Sequence, residues 1–169
     1  LPDLPFLEFT VAGHDDDPAA RSFGAFSPCH SFGFGNPHAQ GTGIGFDAVD
    51  DIQVLTPMHK GLVGAANLNR VLQDALNPGA SEIWRGNTAL RVGDKVMQVE
   101  NDYDKDVYNG DIGMIEDVDL DEGEVAVNFD GQTVTFVFGE LDTLVPAYAA
   151  TIHKSQGSEY PAVVIPVMT

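Results

Sequence analysis

Two rhythms of apolar residues run through the chain, one of period 3.6 and one of period 2. Ile52-Gln53-Val54-Leu55 is a short apolar run closed by Thr56-Pro57, which predicts a buried strand ending at a loop. After Gly61 and Gly64, Leu68, Val71, Leu72, Ala75 and Leu76 recur at helical spacing until Asn77-Pro78-Gly79 stops them. Strand, loop and helix in that order make the half-unit of an α/β fold. The period then changes. Ala89 to Val99 alternates around Leu90, Val92, Val96 and Val99, and Ile112 to Val118 alternates less regularly. Val125, Val127 and Phe129 share one face, Asp130-Gly131 is a strong two-residue hairpin signal, and Val134, Phe136 and Phe138 continue beyond it. Several short strands joined by tight turns predict a small β-barrel, set between α/β elements rather than at an end of the chain. Farther on, Pro146 to Ser155 predicts a short helix, Gln156-Gly157-Ser158 a turn, and Ala162 to Val167 another buried strand.

Residues 1 to 45 hold neither period. Leu4 to Val11 predicts one short strand, Asp15-Asp16-Asp17 is a charge run, and Ser22 to Gly45 reads as loop because Gly and Pro interrupt both helices and ladders. Cys29, His30, His38 and the more distant His14 match no familiar zinc spacing, so no metal site is expected from them.

Charge changes the picture more than hydropathy does. The 169 residues carry 26 acidic and 8 basic side chains, a formal charge of 8 − 26 = −18, with 43% hydrophobic residues. Such a chain has apolar content enough for a core, yet few cations for the broad electrostatic surface that nucleic-acid binding normally uses. Any contact with nucleic acid must therefore be local. Asp outnumbers Glu 18 to 8 and only four lysines are present, a balance that resembles proteins adapted to high salt. On that hypothesis the thermal midpoint rises with added KCl, and a melting curve indifferent to KCl contradicts it. No apolar run reaches the roughly 18 to 20 residues that span a bilayer, and no basic-then-apolar leader opens the chain. The single cysteine provides no internal disulfide. Together these features lead us to expect a cytoplasmic protein without a membrane partner.

The densest candidate chemistry lies in AYAATIHKSQGSEY, Ala147 to Tyr160. Hydroxyls, a lysine and amides freed by a glycine suit an anion, and the same string also suits a plain polar turn. Within the barrel, Asn101, Tyr103, Tyr108 and Asn109 stand beside Lys105, a set that can stack or hydrogen-bond bases. Asn109-Gly110 is equally good turn chemistry, and Asp102, Asp104, Asp106 and Asp111 repel phosphate. These aspartates lack the DxDxDG order of a calcium loop.

The string TIHKSQGSEYPAVVIPV closely resembles motif V of the RecD-like superfamily 1B DNA helicases, whose type member is the exodeoxyribonuclease V alpha subunit. DIQVLTPMHKGLVGAANLNRVLQDALNP resembles their motif IV strand and following helix, and LRVGDKVMQVENDYDKDVYNGDIGMI resembles the start of their SH3-like insertion. All three occur in the family's order and cover about three quarters of the chain; conjugative relaxase-helicases, which carry the same insertion, come second. The resemblance implies an α/β fold, a partial RecA-like lobe of the P-loop NTPase type with an inserted SH3-like β-barrel. Residues 46–82 and 145–169 then belong to the second RecA-like lobe, 83–144 to the barrel, and 1–45 to a divergent segment. It also implies that Thr151, His153, Lys154 and Ser155 lie near single-stranded DNA phosphates; the base-contact candidates Tyr103 and Tyr108 come from the barrel cluster itself. Gly157 and Glu159 fall where the family closes its nucleotide site, the glutamate near the ATP ribose. Lys60 falls where a motif IV cation approaches the ATP phosphates, although His59 can equally be placed there.

A helicase motor also needs a P-loop, a carboxylate for Mg²⁺ and an arginine from the second lobe. The chain contains no GxxxxGK[ST], no Asp-Glu pair after an apolar strand and no motif VI arginine. The expectation is a second motor lobe, cut at both ends and inactive by itself, from a 5′-to-3′ DNA helicase that uses ATP and Mg²⁺. No cofactor is expected on the chain alone. Expected partners are single-stranded DNA, held weakly, the missing first lobe, and possible subunits of a nuclease complex. A stand-alone barrel that binds single strands or docks proteins, and an unrelated acidic interaction protein, are the competing readings.

Overall fold

A computed structural model describes residues 7–13, 23–26, 47–79 and 81–167. Its first strands are β1 (Leu7–Gly13), β2 (Phe23–Phe26) and β3 (Ile52–Thr56), followed by the helix α1 (Ala65–Leu76). Then come β4 (Glu82–Arg85), β5 (Thr88–Arg91), β6 (Lys95–Gln98), β7 (Ile112–Asp119), β8 (Glu124–Phe129) and β9 (Gln132–Val137). A 3-10 helix (Phe138–Thr143) leads into β10 (Leu144–Pro146), β11 (Ala149–Thr151) and β12 (Ala162–Val167). The chain forms two units, Leu1–Leu68 with Ala149–Thr169, and Asn69–Tyr148. No helix among the described residues is long and apolar enough to cross a membrane.

The first unit is built on a five-stranded sheet of order β11-β3-β12-β1-β2. β11 and β12 run parallel to β3 on its two sides, while β1 and β2 extend the sheet antiparallel. β3 is central, and its apolar run is buried accordingly: Gln53 and Thr56 are 0% exposed and Val54 is buried too. A strand covered on both faces shows no alternation, which is why the sequence there reads as continuous.

Three expectations change. Pro146 to Ser155 is not helical. Leu144–Pro146 pairs with β6, Ala149–Thr151 pairs with β3, and a turn follows at 152–157. The four residues Ala147 to Ala150 are all buried, so their apolarity carries no period, and ladder hydrogen bonds on two different sheets outcompete a helix. Phe23–Phe26, inside the expected loop, is a strand because the edge of β1 supplies a backbone partner that composition does not announce. Third, the strand placed at Leu4 to Val11 runs over Leu7–Gly13. The rest of the loop, the Asp15 to Asp17 run, Cys29, His14, His30 and His38 lie outside the described residues.

The second unit holds the antiparallel sheet β10-β6-β7-β8-β9 and the hairpin β4-β5. Their inward faces share one core that includes Leu90, Val96, Ile115, Val125, Val127, Phe136 and Leu141. The Asp130-Gly131 hairpin forms as its sequence predicts, both residues taking positive φ, 50° and 93°. Between Ile115 and Asp117 the β7–β8 register slips by one, and the bulged Glu116 accepts hydrogen bonds from Asn128 and Thr133. Those two bonds hold the Glu116 carboxyl below its ordinary pKa.

The same unit holds a buried polar anchor. Asp94 is 0% exposed, and its carboxylate accepts from Gln73 Nε2 (2.5 Å), Asn77 Nδ2 (2.8 Å), the Arg91 amide (2.7 Å) and the Tyr148 hydroxyl (2.9 Å). Burial and the neighbouring Asp94 charge push the Tyr148 phenol far above its usual pKa, so it stays a neutral donor. Gln73 and Asn77 follow the start of the unit and Tyr148 is its last residue, so one carboxylate gathers both ends of the segment.

Candidate nucleic-acid interface

In an open α/β sheet, ligands gather where parallel strands end at their carboxyl side. β3 and β11 are parallel neighbours whose last residues pair, Thr56 with Thr151, and the Ile152 amide donates to the Thr56 carbonyl at 3.0 Å. Two loops therefore leave the sheet side by side: 57–64 after β3, and 152–158 after β11.

The first loop is braced into the start of α1. The amides of Ala65 and Ala66 donate to the carbonyls of Met58 (3.0 Å) and His59 (3.2 Å), and Thr56 Oγ1 donates to the Val63 carbonyl at 2.6 Å. A Cβ on Gly64 would fall 2.5 Å from the Lys60 carbonyl carbon, so glycine is what lets helix and loop approach so closely. Because the loop's own carbonyls occupy those helix amides, the loop offers a ligand its side chains instead. Lys60 and His59 are both exposed.

The second loop is a tight polar turn. The amides of Lys154 and Ser155 both donate to the Thr151 carbonyl, at 2.9 and 3.2 Å, and the Ser158 amide donates to the Ser155 carbonyl. His153 and Lys154 are exposed on it and Thr151 is half-buried. Ser155 departs from the expectation of a hydroxyl facing phosphate: it is buried, and its Oγ donates inward to the Ile152 carbonyl at 3.0 Å, shaping the turn. Gly157 has φ +90° with open space around the position of a Cβ, and Glu159 beyond it is exposed. Thus Lys60, His153, Lys154 and Gly157 belong to neighbouring loops at one sheet edge, with Thr151 at the end of β11 and Glu159 just past the second loop.

The cations separate sharply. Arg85 forms a bidentate pair with Asp142 (2.8 and 2.6 Å), Arg91 pairs with Glu82 and Asp74, and Lys105 pairs with Glu140 and Asp102. Among the described residues, Lys60 and Lys154 are exposed and take no part in any ion pair. Arg85, Arg91 and Lys105 are thus held by the protein's own carboxylates, while Lys60 and Lys154, at this edge, stand outside any ion pair among the described residues.

Tyr103 and Tyr108 are in the second unit. Both are exposed, their rings meet edge to face at 5.9 Å, and the Tyr108 hydroxyl donates to Asp106 at 2.6 Å, which raises its pKa. The residues that sequence reasoning missed are Asp94 and Gln98. The signal for each was a polar residue inside or beside an apolar alternation.

The family model for the ATP-dependent RecD-like DNA helicase SH3 domain matches residues 68–129, and that for the UvrD-like helicase C-terminal domain matches residues 146–169. The ATP-dependent RecD2 DNA helicase of Deinococcus radiodurans is 40% identical over 109 residues, 64% of this chain and 15% of that protein. Over these stretches the chain resembles the RecD-like DNA helicases. The RecBCD enzyme subunit RecD of Haemophilus influenzae is another relative, 32% identical over 111 residues, 66% of this chain and 16% of the subunit. This RecD-like chain thus spans about a sixth of the length of these relatives. The Pif1 helicase from Bacteroides, solved with ADP-AlF3 and single-stranded DNA, is similar in fold, with a TM-score of 0.53 and 21% identity over 78% of this chain and 37% of that one. The fold of the RecD-like chain is accordingly a RecA-like lobe together with an SH3-like domain.

Proposed function

We propose that this chain is the second motor lobe, with its barrel, of an ATP-dependent 5′-to-3′ DNA helicase. The 152–158 turn holds single-stranded DNA, and Lys60, Gly157 and Glu159 border the nucleotide. One observation carries the reading: the two unpaired, exposed lysines stand on adjacent loops at the carboxyl edge of the parallel strands. Lys154, His153 and Thr151 suit backbone phosphates, which set position on the strand without reading its sequence. Lys60 fits a nucleotide phosphate and Glu159 fits the hydroxyls of a ribose, whereas no group of three His, Cys, Asp or Glu is placed to hold a metal among the described residues. We assign the outer wall of the nucleotide site to this chain. The stronger identity to RecD2 than to RecD favours a helicase of the RecD2 type over a RecBCD-like subunit.

In the complete helicase, Glu159→Ala is expected to raise KM for ATP about tenfold, the loss of roughly one good hydrogen bond to a charged acceptor, with little change in single-stranded DNA affinity. Steady-state ATPase kinetics beside fluorescence anisotropy with labelled oligo-dT check both halves. An unaltered KM removes Glu159 from the nucleotide site.

A further inference from the structure

The barrel carries a cavity of about 350 Å³ lined by Gln98, Glu100, Asp102, Tyr103, Asp104 and Glu140 among others. Its chemistry is nearly all acceptor. Glu140 is already engaged: Lys105 Nζ lies 2.6 Å from its carboxylate, and that bond, with a second from the Val137 amide, holds its pKa low. Asp102 accepts from the amides of Asp104 and Lys105 and faces Lys105 Nζ at 3.5 Å. Glu100 and Asp104 are exposed, and their carboxylates have no partner among the described residues. Four carboxylates against the one ammonium of Lys105 leave 1 − 4 = −3 at the cavity.

Gln98 adds an independent sign of a ligand. It closes β6, is 1% exposed, lines the cavity, and its Oε1 is buried with no hydrogen-bond partner. A buried carbonyl without a donor is costly, and a bound donor recovers that cost. Beside it the Tyr103 ring is 75% exposed, fixed edge-on against Tyr108 and bonded through its hydroxyl to Asn101.

We propose that this cavity receives the guanidinium of an arginine presented by a partner protein. The ligand must donate hydrogen bonds, because Gln98 Oε1 and the Glu100 and Asp104 carboxylates are acceptors. It must be cationic, because the cavity is negative, and this excludes phosphate as the group that enters. Planarity selects arginine over lysine: a guanidinium stacks on the Tyr103 face while its fork of N–H groups meets a carboxylate and an amide oxygen together. An ammonium is a point charge and meets these demands one at a time. None of the cavity's residues belongs to the turn after β11, so the proposal stands whether or not that turn binds DNA.

The test is an NMR titration of the whole chain with the blocked tripeptide Gly-Arg-Gly, in parallel with Gly-Lys-Gly and with oligo-dT. The expected result is saturable shifts confined to the Gln98 side-chain amide, residues 100–104 and Glu140, with the lysine peptide at least about fivefold weaker. The double variant Glu100→Gln/Asp104→Asn, both sites exposed, should weaken the arginine peptide about tenfold. Gln98→Met keeps the shape and the cavity's charge but should erase the preference for arginine over lysine. Shifts spread over the acidic surface, equal binding of the two peptides, or no saturation overturn the proposal. Saturable oligo-dT shifts at Tyr103 that the double variant strengthens overturn it too, since they make the face a base-stacking surface instead.

Discussion

Asp94→Ala is expected to destabilise the barrel unit by about 3 to 5 kcal/mol, the range for removing one partner from a buried charged network. The cause is the number of donors that lose their acceptor at once. Gln73, Asn77, Tyr148 and the Arg91 amide all converge on this one carboxylate, and at 0% exposure no water replaces it at the surface. Asp94→Asn should also be costly, because its NH2 group presents a donor where donors already point. Tyr148→Phe serves as the graded control: it removes one of the four bonds and should cost about 1 to 2 kcal/mol. Urea denaturation followed by tryptophan fluorescence reads all three, since Trp84, the one tryptophan, is on β4 of the same unit. A destabilisation below about 1 kcal/mol for Asp94→Ala, with the slope unchanged, refutes the anchoring role.

The largest functional effect should come from the turn after β11. In the complete helicase, Thr151→Ala with Lys154→Ala is expected to lower single-stranded DNA affinity about a hundredfold at low salt, as two bonds to charged oxygens each contribute roughly 1.5 kcal/mol. Removing a phosphate partner should also flatten the dependence of log K on log salt by about 0.7. Unwinding should fall further than DNA-stimulated hydrolysis, because a strand that slips lets ATP turn over without movement. Anisotropy across a KCl series and a forked-duplex unwinding assay supply the measurements. Unwinding at wild-type rates in the double variant would refute the assignment of this turn to the DNA backbone. Neither side chain supports the core: Lys154 is exposed, and Thr151 gives the turn its carbonyl, which alanine retains.

Elements whose signal is local could be read from the sequence. The Ile52 run, the helix stopped by Asn77-Pro78-Gly79 and the Asp130-Gly131 hairpin each carry their own signal, and each forms with bounds close to those expected. Where the deciding partner is distant, the reading failed. Leu144–Pro146 and Ala149–Thr151 are strands only because β6 and β3 present free edges to them, and the short apolar string between them gives no period to follow. For the candidate site, resemblance brought the two loops together before any geometry did. It could not show that Ser155 turns inward or that Ala65 and Ala66 give their amides to Met58 and His59. Nor could spacing distinguish the lysines that are free from the cations already paired, since that depends on carboxylates as distant in the chain as Asp142 from Arg85.

The Asp94 anchor has an evolutionary consequence. A segment of 80 residues, Asn69–Tyr148, has both its ends tied to one buried carboxylate and has its own apolar core. Such a module can be lengthened, exchanged or removed with only a short bridge in its place, because its two ends already meet. Selection is then free to rework the barrel's exposed chemistry, its acidic cavity included, without changing the residues of the loops at the sheet edge.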